Sequence, residues 1–333
     1  MCGKIREASL FFIITHILLL CGCAGGGRKA PVSETRLLLD TVCSITLYDP
    51  PDRAVLEDAL DLCAGYESLL SVTIEGSDVW RINHADGKPV AVSAQTTEIV
   101  LEGLRYGDLS DGMFDISIGR LSGLWNFKGN PAVPLAEELA IAIETVDYRK
   151  IVVSGDTVQL TDPESRLDLG GIAKGYIADR VAAFLKERGV KAAVIDLGGN
   201  VVAVGRKPSG EKWRVGVRKP FDDSGKLLGT IETGAASIVT SGVYERQFES
   251  GGVVYHHIIN PYTGMPVVSD VVSATVLTES SMAGDALSTI LVLMGSGMAE
   301  KLADEATGFI GAALLLSSGD VMQIGEVELR ASS

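Results

Sequence analysis

Five short segments combine residue types and spacings that can do chemistry. In Leu167-Asp168-Leu169-Gly170-Gly171-Ile172-Ala173-Lys174-Gly175 an apolar strand ends on a glycine pair, and a helix starts with a lysine in its first turn. Amides at a helix N-terminus carry a partial positive charge and suit a phosphate, and Lys174 adds a mobile cation. The segment matches neither G-x-x-x-x-G-K-[ST] nor G-x-G-x-x-G, so P-loop and Rossmann readings fail. A tight strand–helix turn with a surface lysine is the plain alternative. In Ala283-Gly284-Asp285-Ala286-Leu287-Ser288-Thr289, the positions of Asp285 and Thr289 share one helix face. A carboxylate beside a hydroxyl is hard oxygen ligation, suited to Mg2+; the alternative is a helix-start aspartate with a threonine one turn later.

Tyr255-His256-His257-Ile258-Ile259-Asn260-Pro261-Tyr262-Thr263-Gly264 holds two of the four histidines. A histidine at a strand end before an Asn-Pro turn can reach a ligand and act as general base. Neighbouring strand residues point to opposite faces, so at most one of the pair serves a given site; both can instead pack or face water. Zinc is disfavoured, because His16 and His84 are remote and no cysteine is near. Ser110-Asp111-Gly112-Met113-Phe114-Asp115, with Trp125 downstream, can grip a heterocycle or simply cap a helix over ordinary core. The glycine pair in Asp196-Leu197-Gly198-Gly199-Asn200 leaves room for a flat ligand or forms a bulge or tight turn.

The elements that must position these groups follow from periodicity. Helical spacing covers residues 56–70, 96–109, 135–146, 172–188, 281–294 and 299–306. Strand signals cover 41–48, 151–153, 158–160, 167–169, 192–197, 201–204, 213–218, 230–233, 237–240, 253–259, 273–277, 312–316 and 321–324. No regular βαβα alternation appears and hairpins are frequent. The expectation is α+β, one large unit with antiparallel sheets flanked by helices.

The chain has 333 residues, 46% of them hydrophobic, enough for a sizeable core. Its 38 glycines follow no G-X-Y period and fall in pairs after apolar runs, which excludes collagen and low-complexity disorder. A net charge of -14 without any basic tract excludes nucleic acid as a partner. An anion must then be held locally, by backbone amides, a lysine or a metal ion. At the N-terminus, Lys4 and Arg6 precede an apolar run from Leu10 to Leu20, shorter than the roughly 20 residues a membrane-spanning helix needs. Leu20-Cys21-Gly22-Cys23 resembles a bacterial lipoprotein signal. The expectation is removal of residues 1–22, a lipid on Cys23, a tether over 23–36 and a folded unit over 37–330. That makes an exported, membrane-anchored protein on the periplasmic or extracytoplasmic face. Cys43 and Cys63 read either as a disulfide pair or as two small buried hydrophobes.

Taken in order, LDTVCSITLY, EGSDVWRIN, SDGMFDISIG with LW, LDLGGIAKGYIAD, DLGGN, TSGVYER, HHIINPYTG and AGDALST resemble the ApbE family, the FAD:protein FMN transferases, from about Leu37 to Gly325. The resemblance implies a T-fold-like α+β unit with FAD in a cleft. It implies that FMN passes from FAD to a Thr or Ser hydroxyl of a target flavoprotein in an extracytoplasmic redox complex, with release of AMP. By the same resemblance Asp285, Thr289 and the Gly171 carbonyl hold Mg2+. Leu39, Phe114, Asp115, Asp168, Lys174 and Ile259 contact FAD, and His257 is the base. With water as acceptor the same site gives an FAD pyrophosphatase, and without turnover a flavin-binding lipoprotein. Two departures stand out: the family's M-G-T reads Leu39-Asp40-Thr41, and Val243 occupies the position of an acidic or amide residue.

Overall fold

Thr41 to Asp49 alternates the buried Cys43, Ile45 and Leu47 with more exposed neighbours, the pattern of a strand with one covered face. The computed structural model describes residues 30–222 and 224–331. Its first half runs β1 (Val32–Leu38), β2 (Thr41–Asp49), α1 (Arg53–Leu70), α2 (Asp78–Asn83), β3 (Val90–Ala91), α3 (Ala94–Leu109), α4 (Gly119–Trp125), α5 (Ala136–Ile143), β4 (Ile151–Ser154), β5 (Thr157–Leu160) and α6 (Ala173–Glu187). Its second half runs β6 (Ala192–Leu197), β7 (Asn200–Gly205), β8 (Trp213–Arg218), β9 (Leu227–Thr233), β10 (Ala236–Gly242), β11 (Gln247–Ser250), β12 (Val253–His256), β13 (Val271–Thr278), α7 (Ser281–Met294), α8 (Ala299–Glu305), β14 (Phe309–Leu316), β15 (Val321–Gly325) and β16 (Leu329–Ala331).

An eight-stranded sheet in the order β1-β2-β6-β7-β10-β13-β14-β15 forms the frame, and every pairing in it is antiparallel. Three small sheets surround it: β3-β5-β4, β16-β9-β8 and the hairpin β11-β12. The mixed, antiparallel α+β expectation therefore holds. Helix α1 packs on α6 and α6 on α7, and all three rest on the main sheet. The core between them is aliphatic, built from residues such as Leu56, Leu60, Ile177, Val181, Ile195, Val239, Leu287 and Ile290. Burial of each such side chain contributes roughly 1.5–3 kcal/mol.

The helix starts are set by side chains. The Asp52 carboxylate caps α1 by accepting from the Ala54 and Val55 amides. Asp179, on α6, caps the neighbouring α7. It accepts from Ser280 Oγ at 2.6 Å, the Ser281 amide at 2.7 Å and the Met282 amide at 3.0 Å. These bonds clamp the two helices together at the end that carries the candidate site. Gly175 makes the approach possible, since a Cβ there would lie 2.2 Å from the Ser281 carbonyl oxygen. Gly175→Ala must push rigid backbone apart, so a loss of about 3 kcal/mol, the upper end of overpacking costs, is expected. Thermal unfolding checks it, as a fall of several degrees in Tm.

Two expectations need correction. Residues 32–36, assigned to a tether, belong to β1, the edge strand of the main sheet. The strand expected over 253–259 ends at His256, because the chain turns to pair Ile259 with Pro266. Cys43 and Cys63 are both free and buried, and burial pushes both thiols up to about 12. The signal over 1–22 and the lipid site Cys23 lie outside the described residues.

Candidate active site

The first turn of helix α6 is capped from another helix. Ile172 provides no side-chain cap, and the Gly175 amide donates to Asp285 Oδ2 at 2.9 Å. That amide is one of the first three of α6, which have no partner within the helix, and the Gly171 carbonyl, just ahead of the helix, receives no backbone donor among the described residues. Asp285 is 3% exposed, and its second oxygen lies 3.5 Å from Lys174 Nζ. Thr289, one turn along α7, donates to the Asp285 carbonyl at 3.1 Å and sits 3.2 Å from Ser241 Oγ on β10. This bond brings the start of α6, with Gly171 and Lys174, against Asp285 and Thr289 of α7. The other side of Gly171 meets the Phe114 ring, which a Cβ would approach to 2.9 Å.

Around this centre lie groups from the segment Thr240–Arg246. Glu245 is exposed to solvent, with charged groups close enough to act on its carboxyl. Lys174, Arg218 and Arg246 pull its pKa down and Asp285 pushes it up. The His257 amide donates to the Arg246 carbonyl at 3.0 Å, extending the ladder of the β11-β12 hairpin. The His257 ring is half-buried and its Nδ1 has no partner. Burial, followed by the charges of Arg246, His256 and Lys174, pushes it down to about 3. It is therefore neutral, with a lone pair available. His256 turns away, its Nε2 3.1 Å from the Val267 carbonyl.

Leu39 and Asp40 form the tip between β1 and β2, and both adopt left-handed backbone at φ 56° and 55°. Such a tip normally takes Asn-Gly. Here each residue is held from outside: the Leu39 amide donates to Glu67 Oε1 at 2.8 Å, and Asp40 pairs with Lys128 at 2.5 Å. Arg246 is near enough to both Asp40 and His257 to act on their protonation, which links this tip to the histidine.

The remaining candidates frame the Phe114 side. The Asp168 Oδ1 accepts from the Gly170 amide at 2.8 Å and its Oδ2 from Ser122 Oγ at 2.9 Å. Asp115 is buried and engaged on both oxygens, by the Ser117 amide and hydroxyl and by the Tyr148 amide. Burial raises its pKa, and its visible work is to fix the loop that carries Phe114. Ile259 is buried in a satellite cluster with Leu121 and Trp125. The Asp196–Asn200 segment is a tight turn: Gly198 and Gly199 have φ 63° and 96°, and Gly198 presses on Thr41. Val243 packs on the core, with its amide bonded to the Val272 carbonyl.

Ser241, Glu245, Arg246, Glu67 and the Asp40–Lys128 pair carry no role in the sequence reading. The first three lie in TSGVYER, so the segment was visible but its placement beside Lys174 and His257 was not. Glu67 and Lys128 act across 28 and 88 residues, and nothing local marks them.

Three comparisons bear on this arrangement. The sequence pattern of the ApbE family matches residues 39–314. A Klebsiella pneumoniae protein named FAD:protein FMN transferase is 36% identical over 268 residues, covering 79% of this chain and 82% of its own. Among solved structures, the ApbE protein of Thermotoga maritima superposes with a TM-score of 0.80 at 30% identity, covering 89% of this chain and 97% of its own. The flavin transferase ApbE of Vibrio cholerae gives 0.78 at 30% identity, with the same coverage.

Proposed function

The chain belongs to the ApbE family, and from that membership we propose that it transfers FMN from FAD to a Thr or Ser hydroxyl of a target flavoprotein, releasing AMP. The observation that carries the reading is the convergence of Lys174, Asp285, Thr289 and the start of α6 after Gly171 near a neutral His257. In the reaction the acceptor oxygen attacks the phosphorus on the FMN side of the pyrophosphate. The bond from that phosphorus to the AMP oxygen breaks, and the hydroxyl proton passes to His257. A loose transition state of this kind depends mostly on positioning and on charge stabilisation.

The donor set fits a hard divalent cation such as Mg2+: a carboxylate, a hydroxyl and a carbonyl with no backbone donor among the described residues. Asp285, Thr289 and the Gly171 carbonyl would hold it, and it would neutralise charge on the pyrophosphate oxygens. Lys174 and Arg246 concentrate positive charge locally in a chain of net charge -14, which answers how so acidic a protein binds an anionic dinucleotide. The family resemblance assigns Phe114, Leu39 and Ile259 to the rings; of these Leu39 is half-buried while Phe114 and Ile259 are buried, and Asp168 and Asp115 shape the loops beside them. The Leu20–Cys23 motif supports export and lipid anchoring at Cys23, which would place the site outside the cytoplasm with its targets.

The test is incubation of the protein with FAD, Mg2+ and a flavoprotein domain bearing a candidate acceptor threonine. A flavin-fluorescent protein band with AMP in equal amount is expected. AMP and free FMN without labelled protein would make it a pyrophosphatase, and tight FAD binding without turnover a storage protein.

A further inference from the structure

Asn200 is 2% exposed, and its Nδ2 has no hydrogen-bond partner among the described residues. It opens β7 directly after the Gly198-Gly199 turn, a motif that the reaction above leaves without a role. An unpaired buried donor is costly, so its position decides what it serves. Strand register fixes the face. Asn200 has the same phase as Val202 and Val204 and lies opposite Leu197, all three in the core beneath the helices. On its other side it lies opposite Val239 of β10, whose side chain a Cβ on Gly284 of α7 would approach to 2.8 Å. Two residues further along β10, on that same face, Ser241 meets Thr289 at 3.2 Å.

The level along the helix layer follows from topology. A short connection joins α6 to β6, and β6 pairs antiparallel with β7, so α6 and β7 run in the same direction. Asp179, Ala182, Ala183 and Lys186 of α6 line one cleft with Val202, Ala203 and Val204. Asn200 precedes Val202 by about 7 Å of strand, which equals about four or five residues of helix. It is therefore level with Lys174 and Gly175, in the first turn of α6. Beside it, a Cβ on Gly199 would meet nothing within 4 Å, so the turn borders open space. The Asp196 carboxylate holds that turn by accepting from the Gly199 amide at 2.9 Å.

We propose that Asn200 is a further substrate-binding residue, whose carboxamide N–H donates to a pyrophosphate oxygen of FAD held at the N-terminus of α6. The proposal rests on the FAD-dependent reading above. Lys174, the start of α6 and this donor would then converge on one anion. Of the two ends of the carboxamide only the nitrogen is both sealed and unpaired. A half-turn about its last torsion exchanges the ends at constant shape and presents the donor to a ligand without moving the backbone. A group that is unpaired in the free protein and paired in the complex leaves a signature that a structural group does not. Replacing it by an apolar side chain of similar shape costs ligand affinity and spares the free protein.

The experiment compares the wild-type full chain with Asn200→Leu and Asn200→Asp. Affinity for FAD is read by flavin fluorescence, affinity for ADP by competition, and Tm with and without FAD. Asn200→Leu is expected to bind both FAD and ADP about 10–100-fold more weakly, the loss usual for one hydrogen bond to a charged group. Its Tm without FAD should equal or exceed that of the wild type, and the rise in Tm on adding FAD should shrink. Asn200→Asp keeps the shape but turns a negative charge toward the phosphates, so its loss should be larger. Unchanged FAD affinity in both variants would overturn the proposal and leave the amide to a bound water. Weaker FAD binding with unchanged ADP binding would move the contact to the flavin and overturn it as well. So would a fall of several degrees in the ligand-free Tm of both variants, the mark of a structural amide. A wild type that binds FAD but transfers nothing would sink the transferase reading and leave this contact standing. A wild type that binds no FAD would sink both.

Discussion

Asp285→Asn is expected to lower the transfer rate by about 10²–10³-fold, the loss usual for removing one preorganised electrostatic group from a reacting centre. Asparagine keeps the shape and can still accept the Gly175 amide through its carbonyl oxygen, so the helix clamp of α6 against α7 survives. What it loses is the negative charge that faces Lys174 at 3.5 Å and that a divalent cation would need. The two roles of Asp285, as a backbone acceptor and as a charge, are therefore separable by this one change. AMP release measured over a range of Mg2+ concentrations should show the half-maximal concentration displaced upward together with the lower rate. A variant with unchanged rate and unchanged Mg2+ response would reduce Asp285 to a structural cap. Tm within a few degrees of the wild type would show that the clamp holds.

The same residue illustrates what could be read from sequence. Asp285 and Thr289 lie four apart in a helical stretch, and helical periodicity alone puts them on one face. The strand, glycine pair and lysine of Leu167–Gly175 likewise announce a helix start open to an anion. Their meeting was not legible, because it depends on a first-turn amide of α6, that of Gly175, finding its partner in a carboxylate 110 residues away. The edge strand β1 was missed for a related reason. Its inward positions include Glu34 and Arg36, which pair with each other, and Arg36 also pairs with Asp61 on α1; charges on a covered face hide the apolar alternation that marks a strand. Of the β11-β12 hairpin only the β12 side was read; β11, four residues long, is too short for periodicity to separate it from a loop, although it pairs with the strand that leads to His257. The Leu39-Asp40 tip reads as a poor turn because two left-handed residues there should be Asn-Gly. The structure gives the physical compensation: Glu67 holds one residue and Lys128 the other. Local misfit in sequence here marks a left-handed tip that only tertiary contacts explain.

His257→Ala should cost about 10²–10⁴-fold in transfer, the range for loss of a general base, with FAD affinity changed by less than threefold. The pH dependence separates a base from a merely packed ring. Burial, then Arg246, His256 and Lys174, push His257 down to about 3 in the free protein, against about 6.5 for an unperturbed imidazole. The ring is consequently neutral in the free protein throughout the physiological range, and kcat/KM should show no His257 limb near pH 6.5. Bound FAD brings phosphate charge that offsets Arg246 and Lys174, so the pKa in the complex must rise. The acid limb of kcat should then lie at higher pH than that of kcat/KM, and His257→Ala should abolish that separation. Stability carries the same sign. Between pH 6.5 and about 3 the unfolded chain binds a proton at this position that the folded chain refuses, so stability falls as pH falls through that window. His257→Ala removes this contribution, and its Tm should decline less steeply over the same range than that of the wild type. Parallel Tm curves, together with superimposable kcat and kcat/KM limbs, would mean that the electrostatic setting of His257 does not act on the reaction.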